Sequence, residues 1–119
     1  MWFANTHAGR VLIPWIFARL NFLLPVDRLY ETKTLIAFHH PKAAYPFHVL
    51  IVPKKAIQTL AELDLNDSAF LTDIFSTVQA LMNEFHLPAY RLIVNGGEYQ
   101  DFPQVHFHLI SDTKEQGYS

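Results

Sequence analysis

The stretch "QVHFHLI", Gln104–Ile110, sets two imidazoles one residue apart inside an apolar run. In an extended strand, side chains two residues apart share a face, so Gln104, His106 and His108 form one polar row with roughly 6–7 Å per step. Val105, Phe107 and Leu109 fall on the reverse and read as core. The strand thus has one face to bury and one face of imidazoles. Spacing alone leaves three readings open. The row can be an ordinary solvated face. It can be a metal site, with His39, His40 or His48 as further ligands. Or one imidazole can act as nucleophile or general acid while its neighbour holds substrate charge.

Working outward, "YRLIVNGG" (Tyr90–Gly97) reads as a strand running into a glycine turn. "TLIAFHH" (Thr34–His40) stops before Pro41, and "YPFHVLIVPKK" (Tyr45–Lys55) is a second strand, ended by Pro53. Between these pairs lies a helix that Asn66 or Asp67 can cap. Its Leu71, Ile74, Phe75, Val78, Leu81, Met82 and Phe85 recur at three- and four-residue spacing. His86 closes it, a polar residue suited to the C-terminal end of the dipole. Strand, strand, helix, strand, strand predicts α+β with a mostly antiparallel sheet.

Composition narrows the class. A chain of 119 residues, half of them hydrophobic with ten Phe, five Tyr and two Trp, suits one domain with one core. With 17% charged residues and a net charge of −2, a strongly basic nucleic-acid binder is excluded. Without cysteine there are no disulfides, thiolate metal sites or Cys nucleophile. The most apolar run, Val11–Pro25, is shorter than the ~20 residues of a membrane span, and Pro14, Arg19 and Asn21 interrupt it. "LLPVDRLYE" after it lacks the small-residue cleavage site of a signal peptide. It reads as a buried or partner-facing helix, and the expected location is cytoplasmic.

The "QVHFHLI" heptad resembles the motif of the histidine-triad (HIT) superfamily, His-x-His-x-His followed by two apolar residues, with Gln104 at the first position and His106 and His108 at the second and third. "LIAFHHPKAAYPFHVLIVPKKAI" (Leu35–Ile57) is similar, without a gap, to the family's strand–proline–strand segment. "LIVNGG" resembles the strand ending in its substrate-contacting Asn, and "LPVDRLYE" the run before its first sheet strand. The likeness covers about Ile16 to Asp112.

The resemblance implies a single HIT-like α+β domain with about five antiparallel strands, one long helix and a short N-terminal one. Residues 1–15 would be an N-terminal extension and 113–119 a tail. It implies a nucleotide hydrolase or transferase. His106 Nε2 would attack the α-phosphorus of a nucleoside 5′-phosphate derivative, and water would release the monophosphate from the nucleotidyl-histidine. His106 Nδ1–H would be held by the backbone carbonyl at the first motif position, which Gln104 retains. His108 would donate to the phosphate oxygens, and Asn95 and Gln100 would contact phosphate or leaving group. Gln104 would line the substrate site, while a proton relay through the first position, shared with His48, would be lost. His40 stands where many members hold the ribose hydroxyls with Asp, Asp101 where they have Ser or Thr, and Phe38 and Phe17 where they build a nucleobase pocket. No cofactor or metal is implied. A homodimer is, joined through helix and strand edge with Val11–Leu24 adding to the interface. The alternatives are a nucleotide-binding module without turnover and a metal-binding protein using His106, His108 and His48. His39 is expected on the other face from His40, and Lys54 and Lys55 at a solvated strand end.

Overall fold

The computed structural model describes residues 28–113. Phe17, the expected N-terminal helix, residues 1–15 and residues 114–119 lie outside the described residues.

Strand β2, Leu35–His39, and β3, Phe47–Pro53, pair antiparallel. The loop between them carries Pro41 and Pro46, which lack the N–H a continuing ladder needs. Strand β5, Phe107–Ser111, pairs with the other edge of β3, and β4, Arg91–Val94, pairs outside β5. The fifth strand, β1, is Arg28–Glu31, within "LPVDRLYE". Sequence reading places that run before the first strand, whereas it is itself the strand at the β2 edge. The order is β1-β2-β3-β5-β4, all antiparallel, and the fold is α+β as expected.

Alternation divides the sheet into two faces. Leu35, Ala37, Phe47, Val49, Ile51, Phe107 and Leu109 pack on one side against helix α1, Ser68–Phe85. The reverse side carries Ile36, Phe38, Leu50 and Val52, which form a smaller cluster of their own. Asp67 caps α1 by accepting from Phe70 N–H, and that bond, with the Lys55 ammonium second, holds its carboxyl below the usual carboxylate range. At the other end His86 adopts the left-handed conformation, φ 52°, and its N–H returns to Met82 O.

The buried stripe of α1 is Phe70, Ile74, Thr77, Val78, Leu81 and Phe85. Phe75, expected in the core, is 60% exposed. It sits one residue, about 100° of helix rotation, beyond Ile74, which puts it outside the arc that meets the sheet. His39 does face the helix side, edge-on to Phe47 and Phe85. Lys54 is less solvated than expected: its Nζ pairs with Glu31 across the sheet at 2.7 Å. That bond is also the main reason the Glu31 carboxyl titrates below its ordinary value.

The expected strand over Gln104–Ile110 is shorter than its alternation suggests, because β5 begins only at Phe107. Ahead of it the chain leaves the β3 ladder, and Val105 N–H donates to Ile57 O at 2.8 Å. This departure brings Gln104 and His106 to one end of the sheet's second face.

Candidate active site

Cross-strand register assembles the site before any loop does. Leu50 faces Phe38 on one side and His108 on the other, so Phe38, Leu50 and His108 stand in one row on the face opposite α1. His48 lies two residues before Leu50 and is therefore the diagonal neighbour of His108. Their rings meet, with His48 Nε2 2.9 Å from His108 Nδ1.

The hydrogen bonds around this pair assign its tautomers. Ala44 N–H donates to His48 Nδ1 at 3.1 Å, so the neutral ring carries its proton on Nε2 and donates to His108 Nδ1. His108 then carries its own proton on Nε2, available as a donor. Burial pushes the His48 imidazole down to about 4, and the neighbouring His40 and His108 rings add to that. A proton arriving at His48 Nδ1 would also set two N–H groups against each other. Burial likewise lowers His108, helped by His106 and His40 and opposed by Asp101. His40 is lowered by burial first, with Asp101 opposing and His106 adding. Its Nδ1 accepts from Lys42 N–H at 2.9 Å, and its ring centroid is 4.4 Å from that of His48. His40, His48 and His108 are held neutral near pH 7.

His106 has the opposite polarity. Its Nδ1 lies 2.7 Å from Gln104 O, a carbonyl that can only accept, so Nδ1 carries the proton and Nε2 keeps its lone pair. Asp101 Oδ1 is 3.7 Å from that Nε2. Within one cluster, His106 offers an electron pair and His108 a proton. Between them and the wall formed by Phe38, Leu50 and Val52 lies a cavity of about 310 Å³, lined also by His40, Pro41, Asp101, Phe102 and Gln104. That volume is at the lower end of the usual range for small-molecule sites.

The expected site residues divide. His106, His108, Asp101, His40, Phe38 and Gln104 line the cavity together. Gln104 does so with its polar atoms turned away. It is 1% exposed, its Oε1 accepts from Ile57 N–H, and its Nε2 donates to Lys55 O at 2.7 Å and Pro53 O at 3.4 Å. Its side chain clasps the chain leaving β3. Gln100 is similarly engaged, its Nε2 donating to Gln58 O and Phe102 O. Gln100 and Asn95 are not among the lining residues, and His48 stands behind His108 rather than in the wall. A relay between His48 and the first motif position was expected to be lost, and the hydrogen bond of His48 goes to His108. Leu50, Val52, Pro41 and Phe102 were not singled out from sequence. For Leu50 and Val52 the signal was present, since they alternate with core Val49 and Ile51 beside Phe38.

The metal reading does not fit this geometry. Two imidazole nitrogens on one tetrahedral zinc, each at about 2.0–2.1 Å, stand about 3.3 Å apart, whereas His48 and His108 share a hydrogen bond at 2.9 Å. Among the described residues no three His, Asp or Glu side chains are arranged to hold a metal ion. Nor is any helix among them long and apolar enough to cross a membrane.

The family model of the HIT domain matches residues 23–115, which takes in the sheet, the helix and all four imidazoles of the cluster. The chain belongs to the HIT domain family. Among relatives of this HIT domain, an uncharacterized HIT-like protein of Rickettsia prowazekii is 33% identical over 98 residues, covering 76% of this chain and 80% of the relative. A HIT family hydrolase from Clostridium thermocellum has a similar structure, with TM-score 0.71 and 30% identity over 80% of this chain and 87% of that one. A histidine triad nucleotide-binding protein from Candida albicans gives TM-score 0.65 and 28% identity, over 79% of this chain and 71% of that one.

Proposed function

We propose that the protein hydrolyses nucleoside 5′-phosphate derivatives, or transfers their nucleotidyl group, through a covalent intermediate on His106. The observation that carries the reading is the opposed pair of tautomers at the cavity. His106 presents a lone pair on Nε2, and His108, through His48 and Ala44 N–H, presents an N–H. In the first step the Nε2 lone pair forms the N–P bond as the P–X bond to the leaving group breaks. X departs with that electron pair and takes a proton from solvent. Water then attacks the same phosphorus, the N–P bond breaks, and the water's proton passes to solvent. The products are the nucleoside monophosphate and HX, with the imidazole regenerated. Through both steps His108 Nε2–H donates to a non-bridging oxygen, where charge develops on phosphorus. Burial keeps His108 neutral, so it remains a donor without capturing the substrate phosphate as an ion pair. Phe38, Leu50 and Val52 give the nucleobase an apolar wall, and His40 stands at the same cavity to meet the ribose.

His106 is a competent nucleophile because its other nitrogen is committed. The 2.7 Å bond to Gln104 O fixes the ring's orientation and tautomer without using any side chain at position 104. That supports turnover in spite of the missing first histidine. Pairing into a homodimer is part of the same reading, supported by an outer strand, β4, and by the exposed Phe75 on α1.

The test is a panel of adenosine and guanosine phosphoramidates and dinucleotide polyphosphates, scored by monophosphate release. Wild type should release monophosphate, and His106→Ala should not. If His106→Ala matches wild type, the covalent mechanism is wrong. If wild type binds nucleotide at His106 yet turns over nothing on the panel, the binding-module reading replaces it.

A further inference from the structure

Asp101 is the one carboxylic side chain among the described residues lining the cavity. No lysine or arginine is among them, and the imidazoles of His40 and His108 are kept neutral by burial. With those two rings neutral, the charge that the lining contributes apart from His106 is negative. Sites that work on polyphosphates supply Lys, Arg or divalent cations at the phosphate oxygens. This one supplies a carboxylate, whose Oδ1 stands 3.7 Å from the attacking Nε2 of His106.

We infer that Asp101 is a charge filter on the leaving group. It selects nucleoside phosphoramidates whose departing amine carries positive charge and disfavours polyphosphate or otherwise anionic leaving groups. The inference rests on the proposed function and names its substrate class.

Distance carries the argument. An attacking nitrogen and its phosphorus stand about 3–3.5 Å apart before reaction. With Oδ1 at 3.7 Å from the same nitrogen, the phosphorus lies within about 7 Å of the carboxylate whatever the direction of approach. The leaving atom is one bond further. Both fall inside the Debye length of about 10 Å at 0.1 M ionic strength, so a charge carried close to the leaving atom feels Asp101. The field of Asp101 already reaches the other rings, since it opposes the lowering of both His40 and His108. Asp101 is itself 82% exposed, which screens the effect and sets a scale of about tenfold rather than thousands. In the favoured reaction the P–N bond breaks, the electron pair stays on nitrogen, and the amine leaves after taking a proton from solvent.

The experiment compares two adenosine 5′-phosphoramidates, one of an amine bearing a second, protonated amino group and one of an amine bearing a carboxylate. kcat/KM is measured on wild type, Asp101→Asn and Asp101→Ser, and AMP and ADP binding is titrated by calorimetry on the same proteins. Wild type should prefer the cationic leaving group by about tenfold, and both variants should bring the ratio to within about twofold of one. Removing the carboxylate should also tighten ADP relative to AMP by about tenfold, and salt near 1 M should erase the preference in wild type. A wild-type ratio that survives either substitution, with AMP still bound at the site, overturns the filter and leaves the proposed function standing. If AMP does not bind and neither phosphoramidate is cleaved by any of the three proteins, the nucleotide reading fails and the filter falls with it.

Discussion

Lowering the pH from 7 to 4 should destabilise the protein through His48 in particular. Folded, its imidazole titrates at about 4, against an ordinary value of 6.5. Because the folded value is the lower one, the unfolded chain binds this proton first. Stability is then retained above the ordinary value and lost as the pH falls from there towards the folded value. Each unit of difference is 1.36 kcal/mol, so the full span amounts to about 3 kcal/mol at pH 4. His40 and His108 are shifted in the same direction and add to the slope. Glu31 and Asp67, whose values are also depressed, lose their contributions only at the acid end of the range. The assay is urea unfolding of wild type and His48→Asn at half-unit steps from pH 7 to 4. The variant should be less stable at pH 7, having lost the contact to His108. Its stability should fall about 3 kcal/mol less across the range, so that the two curves converge. Parallel curves would refute the claim that His48 is held neutral by its surroundings.

Two further substitutions probe other parts of the structure. Gln104→Ala should cost about 2–3 kcal/mol in unfolding, since it strips bonds from the backbone of Pro53, which is buried, and of Lys55 and Ile57, which are partly buried. Gln104→His, which can replace at most one donor and one acceptor, should cost about 2 kcal/mol while leaving monophosphate release by the folded fraction at least intact. A loss of turnover in Gln104→His as deep as in His106→Ala would show that the side chain, and not the carbonyl, serves the chemistry. If the proposed homodimer uses α1, wild type should have dimer mass in light scattering and Phe75→Glu monomer mass, with the thermal midpoint changed by no more than a few degrees; a monomeric wild type or an unchanged dimer mass in the variant would refute that placement.

Strands β2 and β3 were legible as short runs of strand formers bounded by Pro41 and Pro53, β5 from its two-residue alternation, and α1 because a cap at Asn66 or Asp67 opens a long periodic run. Strand β1 was not counted, being four residues without alternation strong enough to show. The helix phase was legible only in part. Phe75 and Ile74 are equally apolar, and nothing local says which of two adjacent residues meets the sheet. In the site, His106 and His108 could be singled out from their own heptad. Their hydrogen bonds could not. The His48–His108 bond joins residues 60 apart in sequence and follows from the register of β3 on β5. The Gln104 amide finds its partners where the chain from β3 passes alongside, a long-range return that period-two reasoning on one strand does not contain.

The bond from His106 Nδ1 to Gln104 O has a consequence for how such a site changes over generations. A role held by the main chain is present whatever codon stands at that position, proline included, since every residue carries a carbonyl. Substitution at 104 is therefore free to serve the neighbouring loop, as Gln104 does, without first surrendering the orientation of the His106 ring. A lineage can pass through such a state in one step and return from it in another. A search pattern that insists on three histidines would pass over chains that keep the second histidine's ring held in this way.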